Sequence, residues 1–238
     1  MIIDYLDWDS NFFKKKIGKV ELFKDKSNIS DINLDKILKN SDYDLIYFFT
    51  DISLDIYNYI SVFKPFLIDT QVYLNMNIPS ILRKMDYELI NNDISDMKNL
   101  NSIYEIAEEA SEISRFYYDP YLRPYAKKLY RKIIDNSLNK SFGSGIIADS
   151  EEEPKGFISL LLSNDLSKEL LIAVRKEFNN CGIGRILIKK ALSCCHDYGK
   201  SEISTIVSAK NINSLNFHIG QGFEIKKIMN VHHLWIPK

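Results

Sequence analysis

The chain has 238 residues, 45% of them apolar, with 31 basic and 32 acidic side chains and a net charge of −1. That length fits one large domain or two small ones, and the apolar share is enough for a full core. The basic residues are spread along the chain without clustering, which argues against a nucleic-acid interface, and no apolar run approaches the roughly 18 residues that a membrane-spanning helix needs.

In chain order, residues 43–50 (YDLIYFFT) and 66–74 (FLIDTQVYL) read as buried strands, short and rich in β-branched and aromatic residues. Between them, 53–63 has apolar residues at helical spacing, with Ser53 as its candidate cap. Residues 1–84 therefore read as a small α/β lobe. A new rhythm starts at Tyr87 with a strand (YELINND), and Asp93 is placed to cap a helix over 94–110. An aromatic and proline-rich stretch follows at 114–125 (SRFYYDPYLRPY), then a second helix over 125–139. Strands are expected at 144–149 and 155–162, joined by a turn through EEEP, and at 169–174. A helix over 182–198, a strand over 203–208, a helix over 213–220 and terminal strands at 223–229 and 231–236 complete the chain. Residues 85–238 thus form a second domain, α/β in class with a mixed sheet.

Three cysteines, Cys181, Cys194 and Cys195, make a poor disulfide framework and show no Cys/His spacing for structural zinc. Reduced thiols and no metal are expected. The opening MIIDYLDWDSNFFKKK carries acids early and lacks a continuous apolar core, unlike a secretory signal. A cytoplasmic protein with no membrane insertion is expected.

The chemistry concentrates in LLIAVRKEFNNCGIGRILIKKAL, residues 170–192. An apolar strand runs into a loop holding Gly182 and Gly184, and a helix begins there. Helix N-termini leave backbone N–H groups unpaired and carry partial positive charge, and glycine permits close approach, so the arrangement suits a diphosphate. Arg185 in the first turn adds a full positive charge. The dinucleotide pattern G-x-G-x-x-G fails at Leu187, and no G-x-x-x-x-G-K-[ST] is present. Thirty residues on, SAKNINSLNFHIGQGFEI (208–225) ends a strand and offers Asn211 and Asn213 as cap oxygens. A short helix then leads to Gly222-Phe223.

These two segments resemble the GNAT superfamily of N-acetyltransferases, whose loop reads R/Q-x-x-G-x-G/A and whose next helix reads N-x-x-A-x-x-F-Y, then three residues and G-F. The first pattern falls on Asn179, Asn180, Cys181, Gly182, Ile183 and Gly184; the second on Asn211, Ser214, Phe217, His218, Gly222 and Phe223. The resemblance covers about residues 87–238 and implies a GNAT fold with a mixed, centrally splayed sheet and acetyl-CoA as co-substrate. It also implies that Ile172, Ala173 and Val174 pair with the pantetheine amides, that the N–H groups from Asn180 to Arg185 hold the diphosphate, and that Asn211 and Phe217 line the cofactor. Asn179 stands where the family has Arg or Gln. His218 stands where the family usually has the tyrosine that protonates the departing thiolate. A thiol titrates near about 8.5 and a histidine near about 6.5, so a histidinium is a competent acid there; the alternative is packing beside Phe217. His232 and His233 alternate in a terminal strand, so one of them is a second candidate for the cleft, whereas His196 reads as solvated. Aminolysis of a thioester needs positioning and a backbone donor for the carbonyl oxygen, so no cysteine nucleophile is expected.

LDWDSNFFKKKIGK (6–19), SRFYYDP (114–120) and the closing HHLWI resemble segments of dTDP-fucosamine acetyltransferase and its relatives, except that Lys14 replaces a glycine. That likeness implies a nucleotide-linked aminosugar as acceptor and allows a homodimer. Arg115 suits a phosphate, Tyr117 and Tyr118 suit a base or sugar ring, and Asp119 suits the amine. Burial in an ion pair and core packing are the competing readings for Arg115 and the tyrosines. Trp8, Phe12 and Phe13 read as core. Acceptors such as a protein N-terminus, a polyamine or a drug amine, or CoA binding without catalysis, stay open.

Overall fold

A computed structural model describes residues 3–23, 34–80, 83–88, 97–138, 144–150, 153–164 and 166–237. The chain divides into two compact units. The first is Met1–Val72 with Ser208–Lys210 and Lys227–Lys238; the second is Tyr73–Val207 with Asn211–Lys226. The sequence suggests one boundary near residue 84, whereas in the fold the last strand returns to the first unit.

The first unit holds β1 (Asp4–Tyr5), α1 (Asp7–Phe13), β2 (Ile17–Leu22), α2 (Leu34–Lys39) and β3 (Leu45–Asp51). It also holds the first part of β4 (Phe66–Asn77) and most of β9 (Glu224–Trp235), in the order β1-β2-β3-β9-β4. β3 lies between β2, which it pairs in parallel, and β9, which it pairs antiparallel. Both its faces are covered, which is why LIYFFT reads as one apolar run without alternation. Val20, Leu22, Leu34, Leu38, Ile46, Phe48, Ile56, Ile60 and Leu234 form the core of this unit.

Three expectations change here. Residues 53–63 form only a 3-10 turn, Ile56–Asn58, capped by Asp55 and not by Ser53. Carboxylates take the amides a helix would need: Asp51 accepts from Ser53 N–H at 2.9 Å, and Asp35 accepts from Ser61 and Val62 N–H. The two terminal strands are one, β9, twelve residues long. Trp8 is 40% exposed and stacks flat on Phe12, so of the trio expected in the core only Phe13 is deeply buried.

The second unit continues β4 and adds α3 (Met97–Ala110), α4 (Arg115–Tyr118), α5 (Ala126–Leu138), β5 (Ser144–Ala148), β6 (Gly156–Leu162) and β7 (Ser167–Val174). It ends with α6 (Ile183–Asp197), β8 (Glu202–Ser208), α7 (Ile212–Gly220) and the start of β9, and its sheet runs β4-β8-β7-β6-β5. β5, β6 and β7 form an antiparallel meander. α3 and α5 bury Ile103, Ile106, Ala107, Ile134 and Leu138 with Ile146 and Phe157 of the sheet. The strand expected from Tyr87 is not formed over 87–88; residues 89–93, Asp93 included, lie outside the described residues. No helix among the described residues is long and apolar enough to cross a membrane.

β7 and β8 run parallel and share a single registered pair, Lys168↔Ser204. Among the described residues the two strands share no further registered pair, and with β6 antiparallel and β8 parallel to β7 the sheet is mixed.

Candidate functional site

β7 is aimed by an irregularity. Its partner β6 shifts register between Ser159 and Leu160, so Ser159 faces Leu171 and Leu160 faces Glu169, leaving Leu170 unmatched. Such bulges re-aim side chains. Leu171 and Ala173 pack against the α3/α5 cluster, while Glu169 turns to a different set of partners, described below. Ile172, Ala173 and Val174 pair with Ile158, Phe157 and Gly156 along one edge. Their other edge has no registered partner on β8, and all three side chains are half-buried.

After Val174 the chain makes a 3-10 turn, Lys176–Phe178, then an exposed loop in which Asn180 and Gly182 both take positive φ, 63° and 84°. Gly182 is the N-cap of α6 and brings no side-chain cap bond. The first helical bond runs from Ile186 N–H to the Gly182 carbonyl at 3.1 Å. No acceptor among the described residues takes the amide hydrogens of Gly182, Ile183, Gly184 or Arg185. Asn179 and Cys181 are exposed beside them, as is Arg185 in the first turn. Four free amides and a helix dipole converge on one small region, and Arg185 adds a positive charge in the same turn.

The two glycines serve different ends. A Cβ on Gly182 would meet nothing within 4 Å, so glycine there answers the positive φ. A Cβ on Gly184 would lie 3.1 Å from Cε2 and Cζ of Phe217, so glycine there lets α6 and α7 approach. Phe217 accordingly packs on the glycine loop. Asn211 caps α7, its Oδ1 accepting from Ser214 N–H at 3.1 Å.

His218, one turn further along α7, is 1% exposed. Its Nδ1 lies 2.7 Å from the Ser214 carbonyl, and its Nε2 lies 2.9 Å from Oε1 of Glu169. A carbonyl and a carboxylate are both acceptors, so both ring nitrogens are called on to donate, which describes an imidazolium. Burial disfavours that charge, but the Glu169 carboxylate and the Ser214 carbonyl more than offset it, and His218 titrates above the ordinary histidine value. Glu169 is itself 3% exposed and also accepts from the Thr205 hydroxyl of β8 at 3.1 Å. Its other oxygen, Oε2, is buried with no hydrogen-bond partner.

Neither Glu169 nor Thr205 is singled out by sequence reasoning. The available signal is one acid opening an otherwise apolar strand, ELLIAV, where a lone charge is costly unless paired.

Arg115, Tyr117 and Tyr118 share the short helix α4, which Ser114 caps through Tyr117 N–H. All three are half-buried. The Arg115 guanidinium lies 4.2 Å from the Phe116 ring centroid, and Arg123 lies 4.8 Å from that of Tyr117. Asp119 is placed differently: it is fully buried, and its Oδ1 accepts from Tyr121 N–H at 2.8 Å and Leu122 N–H at 3.3 Å. That carboxylate shapes the turn after α4. In the first unit, His232 and His233 are both buried, and His233 packs on the Tyr47 ring at 4.6 Å. Cys194 and Cys195 are buried on α6, and burial pushes their thiols up to about 11 and about 12. Among the described residues no group of three or more His, Cys, Asp or Glu side chains is arranged to hold a metal.

Residues 101–223 match the model of the acetyltransferase (GNAT) family. No curated protein sequence matches the chain. Among solved structures, a functionally unknown conserved protein from Staphylococcus epidermidis superposes with a TM-score of 0.58 at 13% identity, over 94% of this chain and 85% of that one. An acetyltransferase of the GNAT family from Colwellia psychrerythraea gives 0.56 at 8% identity, over 89% and 74%. At such identities the likeness is one of fold.

Proposed function

Because the chain belongs to the acetyltransferase (GNAT) family, we propose that it moves an acetyl group from acetyl-CoA to the primary amine of a nucleotide-linked amino-deoxysugar. The observation that carries the donor half is the end of the β7–β8 register at Lys168↔Ser204, with the unpartnered amides of α6 following β7. These residues fit the donor. The open edge of Ile172–Val174 suits the amides of a pantetheine arm, and the amides of Gly182–Arg185 suit a diphosphate. Asn180, Cys181 and Asn179 border that cradle, Phe217 backs it through Gly184, and Asn211 opens the adjoining helix.

Acetyl-CoA supplies the activated acyl group as a thioester. The chain's own part is to hold an uncharged amine against that carbonyl and to offer its oxygen a backbone donor from the open edge near Val174. His218 returns a proton to sulfur as the carbon–sulfur bond gives way to carbon–nitrogen. To reach sulfur the ring has to release one of its two acceptors, the Ser214 carbonyl at Nδ1 or the Glu169 carboxylate at Nε2.

Support for the acceptor comes from α4, where a half-buried arginine on an aromatic ring adjoins Tyr117 and Tyr118. Arginine forks match phosphate oxygens, and tyrosines stack on bases and sugars. Asp119 contributes by shaping that segment. The test is calorimetric titration with acetyl-CoA, joined to thiol release measured against dTDP-, UDP- and GDP-linked aminosugars. Turnover confined to polyamines or peptides overturns the acceptor; donor binding without any turnover overturns catalysis.

A further inference from the structure

We infer that Glu169 is a positioning residue of the donor site: its contact with His218 clasps α7 to the sheet, and α7 sets Phe217 against the glycine loop. The inference rests on the donor half of the reading above, acetyl-CoA on the amides of α6, and does not depend on where the proton for sulfur comes from. Of the nine residues of α7, His218 is the one that is buried. A surface helix ordinarily docks through a stripe of apolar side chains; here the deepest anchor is polar and serves two strands at once. Nε2 of His218 meets Oε1 of Glu169 on β7 at 2.9 Å, and that oxygen also accepts from the Thr205 hydroxyl of β8 at 3.1 Å. One residue before His218, the Phe217 ring lies 3.1 Å from where a Cβ on Gly184 would stand. The clasp thus reaches the start of α6 through a single neighbouring side chain.

The clasp has a charge requirement. Nδ1 faces the Ser214 carbonyl at 2.7 Å and Nε2 faces a carboxylate, so both partners are acceptors. An imidazolium donates to both. A neutral ring has one N–H for two acceptors, and one contact then sets lone pair against lone pair where water does not reach. The surroundings offer little relief. The Phe217 and Phe223 rings stand edge-on at 5.2 Å, and the Ser214 hydroxyl is 3.3 Å from Nδ1. Lys168, next to Glu169 on β7, points to the opposite face by strand alternation. Arg185 on α6, Glu202 on β8 and Glu224 on β9 are exposed. Among the described residues Glu169 is the charge that acts on the ring, and it holds His218 above the ordinary histidine value.

Donor affinity is therefore full while His218 is charged and falls as pH rises through its pKa. Glu169→Gln keeps the shape and lifts the requirement: its amide offers an N–H to a bare Nε2 while Nδ1–H keeps the Ser214 carbonyl. The experiment is calorimetric titration of CoA into the parent and Glu169→Gln from about pH 6, just below the ordinary histidine value, to about pH 10. The ratio of parent to variant Kd, in which the ligand's own ionisation cancels, is expected to rise roughly five-fold or more, the lower end of coupling between linked sites. Linkage demands the converse: saturating CoA moves the His218 ring titration in the parent to higher pH, read by NMR with four histidines in the chain. A side chain that only stabilises the fold moves neither readout. A constant ratio, or a His218 titration indifferent to CoA, overturns the clasp and leaves the donor reading standing. A parent that binds no CoA at any pH overturns the donor reading and the clasp with it. Should Glu169→Gln not fold, the parent's titration with and without CoA decides alone.

Discussion

Gly182→Ala isolates the anion cradle from everything else in the fold. Gly182 has φ 84°, and a Cβ placed there meets no atom within 4 Å, so the substitution adds strain without a clash. A left-handed conformation costs an alanine about 1–2 kcal/mol relative to the right-handed one. Without ligand the loop sheds that strain by turning φ negative, which swings the peptide plane into Ile183 and with it the amide at the helix start. Binding has to restore it. The cost therefore appears in affinity, as a roughly 5–30-fold rise in the Kd of CoA. Pantetheine lacks the diphosphate and is expected to bind Gly182→Ala as it binds the parent. Titration calorimetry with both ligands separates the two. A CoA Kd within two-fold of the parent, or an equal loss for CoA and pantetheine, would refute the assignment of these amides to the diphosphate. Gly184→Ala serves as contrast: its Cβ presses Phe217 at 3.1 Å and leaves the positive φ of Gly182 alone.

Other outcomes follow from single observations. Lys14 ends α1 at φ 55° and ψ 42°, a left-handed cap, so Lys14→Gly is expected to raise stability by about 0.5–1 kcal/mol in urea unfolding. Glu169→Leu strands a buried histidine and is expected to cost about 3–5 kcal/mol, while Glu169→Leu with His218→Phe recovers most of it. Because the folded state raises the pKa of His218, its stabilising contribution is complete below about 6.5 and is lost as pH rises through the folded value. A melting series is expected to show that loss in the parent and not in the double variant. Arg115→Ala is expected to raise the KM for the proposed aminosugar acceptor roughly 10–100-fold with the KM for acetyl-CoA unchanged, the scale of charge-assisted phosphate bonds.

What the sequence disclosed, it disclosed through local physics. α6 and α7 are read within two residues of their ends because each pairs an apolar period with a glycine or asparagine at its boundary, and β7 and β8 are read as closely from their short apolar, β-branched runs. Residues 53–63 mislead because Ile56 and Ile60 keep helical spacing while Asp35, distant in sequence, claims the amides of Ser61 and Val62. The two terminal strands read as separate across Asn230, yet the ladder with β3 runs through that residue, which pairs with Thr50 between Met229 and Trp235. Gly184 is legible as part of a loop pattern, but its reason, the Phe217 ring, lies a strand away. The Glu169–His218 contact spans 49 positions and has no local trace.

Histidine in place of a tyrosine alters what the neighbourhood must supply. A phenol, titrating near about 10, keeps its proton at neutral pH without help, whereas an imidazole near about 6.5 has largely lost it, and burial lowers it further. At position 218, with 1% exposure, an acid made of histidine therefore needs a compensating charge, and Glu169 at 2.9 Å is that charge. The dependence of the proposed acid on that charge can be measured. In His218→Tyr, whose hydroxyl needs no carboxylate to stay protonated, adding Glu169→Gln is expected to change kcat above neutral pH by less than about three-fold. In the parent the same substitution is expected to lower it, because the carboxylate charge that raises the His218 pKa is gone. Equal losses in the two backgrounds would mean that Glu169 supports the join of β7 and β8 and has no hold on the proton.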